Sequence, residues 1–291
     1  MQNNQMINLA IMGIGTIGKR HLMAIDKIDN VKLCGIFDLT EYASSICNNN
    51  KISIFYDLNE LKKSTKVDGV IISTPTIMHH ENAISALNLG LDVLIEKPIS
   101  ATSSEADQIE KIAQLNNCSV LVGHQRRFNP IVIILEKKIG NVVGISGIWA
   151  LRKDDDYFLP EWRKEISAGP VITNLIHDID YLRFIFGEIT EVSAFSSNNI
   201  NNFEKEDIIS ANLKFEQGLI GNFLISDSGT SPWSWETGTG ENIYLPHLKE
   251  NNLRIVGTQG SLEFPDLKLW SYKNDRDNWK SEFESCNYDF D

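Results

Sequence analysis

Residues 7–18 have the sequence INLAIMGIGTIG, in which an apolar run leads directly into the pattern Gly-x-Gly-x-x-Gly. We predict a buried strand over residues 7–12, a helix over residues 19–28 and a second strand over residues 32–37. Strand, glycines, helix and strand in this order are the context in which the glycine pattern binds a dinucleotide. This context makes a plain glycine-rich loop the minor alternative.

The glycine turn gives each of its positions a physical task. Gly13 permits the tight turn, Gly15 lets the backbone approach a pyrophosphate, and Gly18 allows the helix to pack closely on the strand. Thr16 and Ile17 lie at the start of the helix, whose free N–H groups and dipole attract phosphate. We therefore expect all five residues to contact the cofactor.

Asp38 follows the second strand, 20 residues after Gly18. A carboxylate at this place accepts hydrogen bonds from a ribose 2′-hydroxyl and repels a 2′-phosphate. The sequence therefore favours NAD over NADP.

The next buried strand, predicted over residues 67–73, ends at Ser73, Thr74 and Pro75. In a doubly wound sheet this turn lies on the nicotinamide side of the cofactor, although a plain strand-ending turn is an equal alternative. His79 and His80 open the following helix. We expect both histidines at the surface, and His80 is counted among the cofactor-side residues.

Glu96, Lys97 and Pro98 follow a short apolar strand over residues 93–95. They fall at the carboxyl edge of that strand, where open α/β sheets bind their ligands, and Pro98 prevents the strand from continuing. Lys97 is therefore a candidate catalytic residue, and Lys97 and Glu96 are expected beside the cofactor. The alternative is a charged strand end that points to water.

The pattern changes after Gly123 from alternating strands and helices to a series of strands. We predict two domains: residues 1–123 form an α/β Rossmann domain with a doubly wound parallel sheet, and residues 124–291 form an α+β domain for substrate binding and oligomerisation. The second domain carries a large, mostly antiparallel open sheet. Its predicted strands cover residues 142–151, 191–196, 208–215, 219–226, 253–256 and 268–272.

One helix, predicted over residues 173–186 and stopped by Gly187, interrupts the strands of the second domain. Asn174, His177, Asp178 and Tyr181 share one face of it at helical spacing. Such a polar stripe is either a functional surface or a solvated face.

Composition excludes several classes of partner. The net charge of −12 argues against nucleic acid and anionic membranes, which leaves a small molecule as the expected partner. No apolar run is long enough for a membrane span and no signal segment is recognised at the N-terminus, so we expect a cytoplasmic protein. The cysteines and histidines show no metal-ligand spacing, and no metal is predicted.

Several motifs together resemble the Gfo/Idh/MocA family of nicotinamide-dependent oxidoreductases, and the resemblance covers most of the chain. The segments that carry it are residues 13–18, Thr74-Pro75, Glu96-Lys97-Pro98, residues 126–129 and residues 177–180. Residues 162–163, 169–177 and 231–236 are most similar to a branch of inositol-type and dihydrodiol-type dehydrogenases.

The resemblance implies that Lys97 lies near the nicotinamide and the substrate hydroxyl and that His177 accepts the proton. Oxidation of a secondary alcohol needs such a base, because the hydroxyl proton is lost as hydride leaves the same carbon. Histidine suits this task near neutral pH, whereas a lysine cation can hold the developing alkoxide. We therefore assign His177 as the base and Lys97 as the stabiliser or relay, with Glu96 orienting the strand end and a cis bond before Pro98 fixing the lysine.

Asn174 departs from the family, many members of which carry aspartate there. An amide cannot accept a proton, so we expect Asn174 to position the substrate or His177. Residues 272–291 are polar and aperiodic, and we expect them to lack the helix with which many members end.

Side chains expected to border the substrate are Arg126, Arg163, Asn174, His177, Trp233 and Trp235, together with Arg127, Tyr157 and Glu236. Aromatic rings suit a sugar, a polyol or a cyclic diol, and the arginines would accommodate a carboxylate. Residues 226–232 are either a mobile loop that carries Trp233 or a structural turn.

We thus expect an NAD-dependent dehydrogenase that acts on a CH–OH group. The alternative is a catalytically weak or inactive nicotinamide-binding sensor. The open face of the sheet predicts a homodimer or homotetramer.

Overall fold

A computed structural model describes residues 5–38, 40–50, 52–134, 139–274 and 278–287. The chain divides into two compact units, residues 1–124 and residues 125–291. No helix among the described residues is long and apolar enough to cross a bilayer.

The first unit is a five-stranded parallel sheet with helices. Its strands are β1 (Ile7–Met12), β2 (Val31–Phe37), β3 (Gly69–Ile72), β4 (Asp92–Ile95) and β5 (Val120–Val122). Its helices are α1 (Thr16–Ile25), α2 (Glu41–Asn50), α3 (Leu58–Ser64), α4 (His79–Asn88) and α5 (Ser103–Asn116). The strand order is β2-β1-β3-β4-β5. This confirms the predicted α/β class with a parallel sheet.

A further bridge continues the sheet beyond β2. Ile54 forms one isolated parallel bridge with Ile36 of β2. The bridge stands where the third strand of a doubly wound half-sheet would pair, and the order of strands reverses between β1 and β3. Ligands of open α/β sheets bind at such a switch point, at the carboxyl ends of the strands.

Burial explains why the strands of the first unit are continuous apolar runs. All four residues of β3 are buried, because apolar clusters cover the sheet on both sides. Helix α5 begins at a complete capping box, in which Thr102 and Glu105 each bond to the other's backbone N–H.

The second unit is built on an eight-stranded sheet. Its strands are β6 (Val142–Ala150), β7 (Ile189–Ser197), β8 (Ile208–Phe215), β9 (Ile220–Ser226), β10 (Leu253–Gly257), β11 (Ser261–Phe264), β12 (Lys268–Tyr272) and β13 (Phe283–Asn287). Its helices are α6 (Pro130–Ile134), α7 (Ile176–Phe186) and α8 (Trp235–Thr239). The order is β13-β12-β11-β10-β6-β9-β8-β7, and only the β6–β9 pair among these described neighbours is parallel. The prediction of a large, mostly antiparallel sheet is confirmed.

Helix α7 contributes to the core on one face of this sheet. Tyr181 of α7 packs against Trp235 and Phe264, with ring centroids 5.7 and 6.0 Å apart. The three rings belong to one continuous buried cluster. This packing fixes α7, and with it the polar residues of its first turns.

Two strands lie outside the sequence prediction. β11 alternates between polar and apolar residues over only four positions, and β13 is exposed along its whole length at the edge of the sheet. β13 lies within residues 272–291, which we expected to be aperiodic; that expectation is wrong for Phe283–Asn287. The pairing of β13 with β12 supplies the order that its composition does not reveal.

Candidate dinucleotide site and catalytic side chains

The glycine turn follows β1, and two of its glycines are required by the protein itself. Gly13 has a φ of +85°, and a Cβ there would lie 2.7 Å from the Ser73 carbonyl oxygen. A Cβ on Gly18 would lie 2.1 Å from the Gly13 carbonyl oxygen. The glycine turn therefore packs directly against the residue that follows β3, and neither position has room for a side chain.

Gly15 differs from its two neighbours. Its φ is −64°, and a Cβ there would meet nothing within 4 Å. The protein alone therefore does not require glycine at this position. An open backbone at the start of a helix is instead what a closely approaching phosphate requires.

The first turn of α1 remains suited to an anion. Gly15 provides no side-chain cap, and the turn carries no acidic residue. Thr16 and Ile17 form this turn, and the Ile17 side chain is exposed. The N–H groups and the helix dipole thus present positive potential without an internal carboxylate to neutralise it.

Asp38 is held at the end of β2 by three hydrogen bonds. One carboxylate oxygen accepts from the backbone N–H of Ile14 at 2.7 Å, and the other accepts from the N–H and hydroxyl of Thr40 at 2.8 and 2.6 Å. Burial raises the pKa of Asp38, but the bonds from Thr40 and Ile14 outweigh it and leave the pKa below its ordinary value. Asp38 is therefore an ionised acceptor fixed beside the glycine turn.

A cavity of about 420 Å³ opens beside Asp38 at the switch point. Phe55 and Met78 contribute apolar wall, and Thr74 and Pro75 border it on the β3 side. Apolar walls with a few polar groups are typical of sites for flat heterocycles. The residues present thus fit a dinucleotide, with phosphates at α1 and a ribose at Asp38.

Ser73 and His79 tie the turn after β3 to its surroundings. The Ser73 hydroxyl donates to the Gly13 carbonyl oxygen at 2.7 Å. His79 is 1% exposed, with Nε2 2.8 Å from the Thr74 carbonyl oxygen and Nδ1 2.8 Å from the Pro98 carbonyl oxygen. The expectation that His79 lies at the surface is wrong, because its ring lies between the two turns.

His80 points to a different neighbour. Its Nε2 lies 3.0 Å from the Gln108 side-chain oxygen on α5, and His80 is not among the residues that line the cavity. His80 therefore joins two helices, and we no longer expect it to contact the cofactor.

Glu96 is fixed at the end of β4 by residues on other elements. Its Oε1 lies 2.8 Å from Nε2 of His21 on α1, and its Oε2 accepts from the backbone N–H of Lys97 at 3.3 Å. A Cβ on Gly123 would lie 2.9 Å from the carboxylate, so the glycine after β5 makes room for it. The Lys97–Pro98 bond is cis, as predicted, and Lys97 is half-buried.

A π-helical turn, Val171–Leu175, leads into α7 and carries Asn174. The Asn174 side-chain oxygen accepts from the Thr173 hydroxyl at 2.9 Å. His177, Asp178 and Tyr181 are all buried, so the polar stripe is not a solvated face. π-turns within helices frequently mark functional positions.

Asp178 belongs to a buried network centred on Arg126. The guanidinium donates to Asp178 at 3.1 Å and to Glu236 at 3.0 Å, and it lies 4.7 Å from the Trp235 ring centroid. The indole N–H of Trp149 donates to the second oxygen of Glu236 at 2.9 Å. Burial raises the pKa of Asp178, whereas the pKa of Glu236 is lowered, since Arg126 and Trp149 outweigh its burial.

This network corrects two predicted substrate contacts. Arg126 is 3% exposed and engages two carboxylates, and Trp235 is 1% exposed within the aromatic core. Two guanidinium nitrogens of Arg126 and the indole N–H of Trp235 donate to internal carboxylates. We therefore revise Arg126 to a buried counter-ion and Trp235 to a packing residue.

The remaining substrate candidates are more accessible. Arg127 makes a two-bond pair with Asp180, Arg163 is half-buried, and Trp233 is 41% exposed. The Ser231 hydroxyl donates to the Ala150 carbonyl oxygen, so the segment before Trp233 is a hydrogen-bonded structural turn at the end of β6.

Comparison with known proteins agrees with this geometry. The model of the Gfo/Idh/MocA oxidoreductase family, with its NAD-binding Rossmann fold, matches residues 7–124, and the model of the family's C-terminal domain matches residues 132–263. The chain belongs to the Gfo/Idh/MocA oxidoreductase family.

Two relatives illustrate the range of the Gfo/Idh/MocA family. The chain is 27% identical over 239 residues to 4-carboxy-2-hydroxymuconate-6-semialdehyde dehydrogenase of Sphingobium sp., covering 78% of this chain and 74% of the relative. It is 26% identical to scyllo-inositol 2-dehydrogenase (NAD⁺) of Bacillus subtilis, covering 88% and 78%.

A solved structure confirms the fold. The WlbA dehydrogenase of Bordetella pertussis, in complex with NADH and UDP-GlcNAcA, superposes with a TM-score of 0.76 at 20% identity and covers 89% of this chain and 73% of the other. The family models and the two relatives, rather than this structure, show that the first unit is the family's NAD-binding domain and that the chain is a nicotinamide-dependent dehydrogenase acting on CH–OH groups.

Sequence reasoning missed His21 and misplaced His79. A signal for His79 was present, because it shares helical spacing with Ala83, Ala86 and Leu87, all of which are buried. For His21 no comparable signal exists, since its partner Glu96 lies 75 residues further along the chain.

Proposed function

We propose that this protein uses NAD to oxidise a secondary alcohol of a sugar, a polyol or a cyclic diol. The observation that carries the proposal is the open glycine turn with ionised Asp38, placed in the same sheet as the Glu96-Lys97-Pro98 turn. His79 joins the turn after β3 to Pro98, so the backbone on both sides of Lys97 is supported.

Bound NAD would supply the hydride acceptor. His177 accepts the hydroxyl proton, and Lys97 holds the negative charge that develops on the oxygen. Asn174 positions the substrate or the His177 ring without exchanging a proton. Glu96, fixed by His21, orients the backbone at Lys97.

The relatives support this substrate class. Their names specify scyllo-inositol in one case and a carboxylated hydroxymuconate semialdehyde in the other. Both are small polar molecules, one a polyol and one a carboxylic acid.

The test is a panel of inositols, aldoses, uronic acids, sugar nucleotides and cyclic diols, offered with NAD and with NADP while reduced nicotinamide is followed. We expect NAD-dependent turnover of at least one class. His177→Ala and Lys97→Ala should each lower kcat by about a hundredfold or more, since each removes a group that acts on the reacting hydroxyl.

His247→Ala is the matched control, because His247 is exposed and contacts only the Gly238 carbonyl oxygen. NAD binding without turnover of any substrate would favour the sensor. Wild-type turnover in His177→Ala with loss in Lys97→Ala would exchange the two roles.

We also propose that a second copy of the chain covers the open face of the eight-stranded sheet. Phe195 and Leu224 both pair with Ser210, which places them on the same face of the sheet with Ser210 between them, and both are exposed. Light scattering should show a dimer or tetramer that Leu224→Lys weakens; a monomeric wild type would refute this. The cytoplasmic location stays a prediction.

A further inference from the structure

Lys153 follows β6 and has an unusual environment for a lysine. Its ammonium group lies 5.4 Å from the Trp149 ring centroid and 5.0 Å from the Tyr157 ring centroid. Burial lowers the pKa of Lys153, although the charges of Glu236 and Asp227 act in the opposite direction. Cations are rarely placed against aromatic walls without a partner, because desolvation of a charge is costly.

Three carboxylates raise the pKa of Lys153, and each accepts a hydrogen bond from another group. Glu236 accepts from Arg126 and Trp149, and Asp227 accepts from the fully buried Lys205 at 2.7 Å. The exposed Asp154 accepts from the backbone N–H of Tyr157 at 2.7 Å. Throughout the described residues, no carboxylate lies within salt-bridge distance of the Lys153 ammonium and no group accepts a hydrogen bond from it. The Lys153 ammonium can therefore donate hydrogen bonds to a ligand.

Arg163 provides a second cation against the same ring. Its guanidinium carbon lies 4.1 Å from the Tyr157 ring centroid, and Nη1 donates to the Tyr157 carbonyl oxygen at 2.7 Å. Its Nε is buried and has no acceptor within the described part of the chain. The two cations are close to each other, because both lie over the Tyr157 ring, and the charge of Arg163 is one of the influences that lower the pKa of Lys153.

We propose that Lys153 and Arg163 bind an oxyanion, a carboxylate or a phosphate, carried by the substrate. An oxyanion accepts from both side chains. The half-buried ring of Tyr157, over which both cations lie, provides apolar surface beside the anion.

The position of this oxyanion site links it to the catalytic helix. Glu236 accepts a hydrogen bond from Trp149, over whose ring Lys153 lies. Glu236 is in turn joined through Arg126 to Asp178, the neighbour of His177. The cations can therefore hold one end of a substrate whose hydroxyl is presented to His177. This inference rests on the proposed function and narrows it to acidic or phosphorylated sugars and polyols.

The experiment compares D-glucuronate and D-glucose 6-phosphate with the neutral D-glucose and myo-inositol, each with saturating NAD. The wild type should prefer an anionic substrate, and the anion that is preferred distinguishes carboxylate from phosphate. Lys153→Met should raise KM for that anion by about tenfold to a hundredfold, the value of one charged hydrogen bond, and change KM for neutral substrates by less than about twofold. Lys153→Arg should restore part of the preference.

Lys268→Met is the matched control, because Lys268 also lies over a tryptophan, 4.1 Å from the Trp270 centroid, on β12. It should leave both classes of substrate unchanged. Equal use of neutral and anionic substrates, or equal loss of both in Lys153→Met, would overturn the oxyanion site and leave the proposed function standing.

If no substrate is turned over, the proposed function fails, and the oxyanion site is decided by binding alone. Calorimetric titration of the NADH-loaded protein with D-glucuronate and D-glucose 6-phosphate should then show binding that Lys153→Met weakens. Absence of binding by both anions would overturn the site.

Discussion

His79 and Pro98 are joined by a buried contact, with Nδ1 of the histidine 2.8 Å from the proline carbonyl oxygen. The other ring nitrogen lies equally close to the Thr74 carbonyl oxygen. A neutral imidazole has one N–H, which donates to one of these two carbonyl oxygens. His79 therefore lies between two turns of the NAD-binding domain and links them.

His79→Phe should weaken NAD binding and lower the free energy of unfolding by about 1–3 kcal/mol, because it removes the buried imidazole donor between the Thr74 and Pro98 carbonyl groups. Titration with NAD and urea unfolding measure the two effects. The adjacent His80→Phe is the control, since it removes the bond to Gln108 on α5. Wild-type stability and NAD affinity in His79→Phe would contradict this role of His79.

Gly15 and Gly18 should be required for different reasons, Gly15 for ligand binding and Gly18 for stability of the fold. Gly15→Ala meets no atom and has a permitted φ, so stability should hold or rise slightly while NAD affinity falls by about tenfold or more. Gly18→Ala drives a Cβ into the Gly13 carbonyl and should destabilise the first domain. Thermal unfolding and NAD titration of both variants check this. Equal destabilisation by the two alanines would remove the argument that Gly15 serves a ligand.

The positions of the glycine turn and of the Glu96-Lys97-Pro98 turn could be predicted because both turns depend on local backbone chemistry. Strand, glycine spacing and a proline stop are all visible within a few neighbouring residues. The fold class followed for the same reason, since the buried parallel strands are continuous apolar runs.

The Arg126 network could not be predicted, because its partners are distant in the chain. Asp178 and Glu236 lie 52 and 110 residues after Arg126, and no periodicity connects them. Taken from composition alone, an arginine and a tryptophan near a polar helix indicate substrate recognition. Only the tertiary structure shows that these side chains satisfy each other.

The Asp38 carboxylate should set the preference for NAD over NADP, because it is ionised at every physiological pH. Its folded pKa lies below the ordinary value of 3.8, so its contribution to stability is complete above that value and is lost only as pH falls through the lower folded pKa. The NAD preference should therefore be flat from about pH 5 to 8.

Asp38→Asn removes the charge but keeps an oxygen acceptor. It should weaken NAD binding about tenfold and reduce the preference for NAD over NADP. Asp68→Asn is the control, because Asp68 also has a lowered pKa but lies at the amino end of β3 and binds Asn8. A wild type that prefers NADP would contradict the role of Asp38.

Arg126→Met distinguishes a buried counter-ion from a substrate ligand. Removal of the guanidinium leaves Asp178 and Glu236 without their shared cation, which should cost about 3–5 kcal/mol of unfolding free energy. Arg183→Met is the matched control, since the Arg183–Glu188 pair is about half exposed and should contribute no more than about 1 kcal/mol. Urea unfolding of the two variants measures the difference. If Arg126→Met instead unfolds like the wild type and raises only KM, then Arg126 binds substrate, as predicted from the sequence.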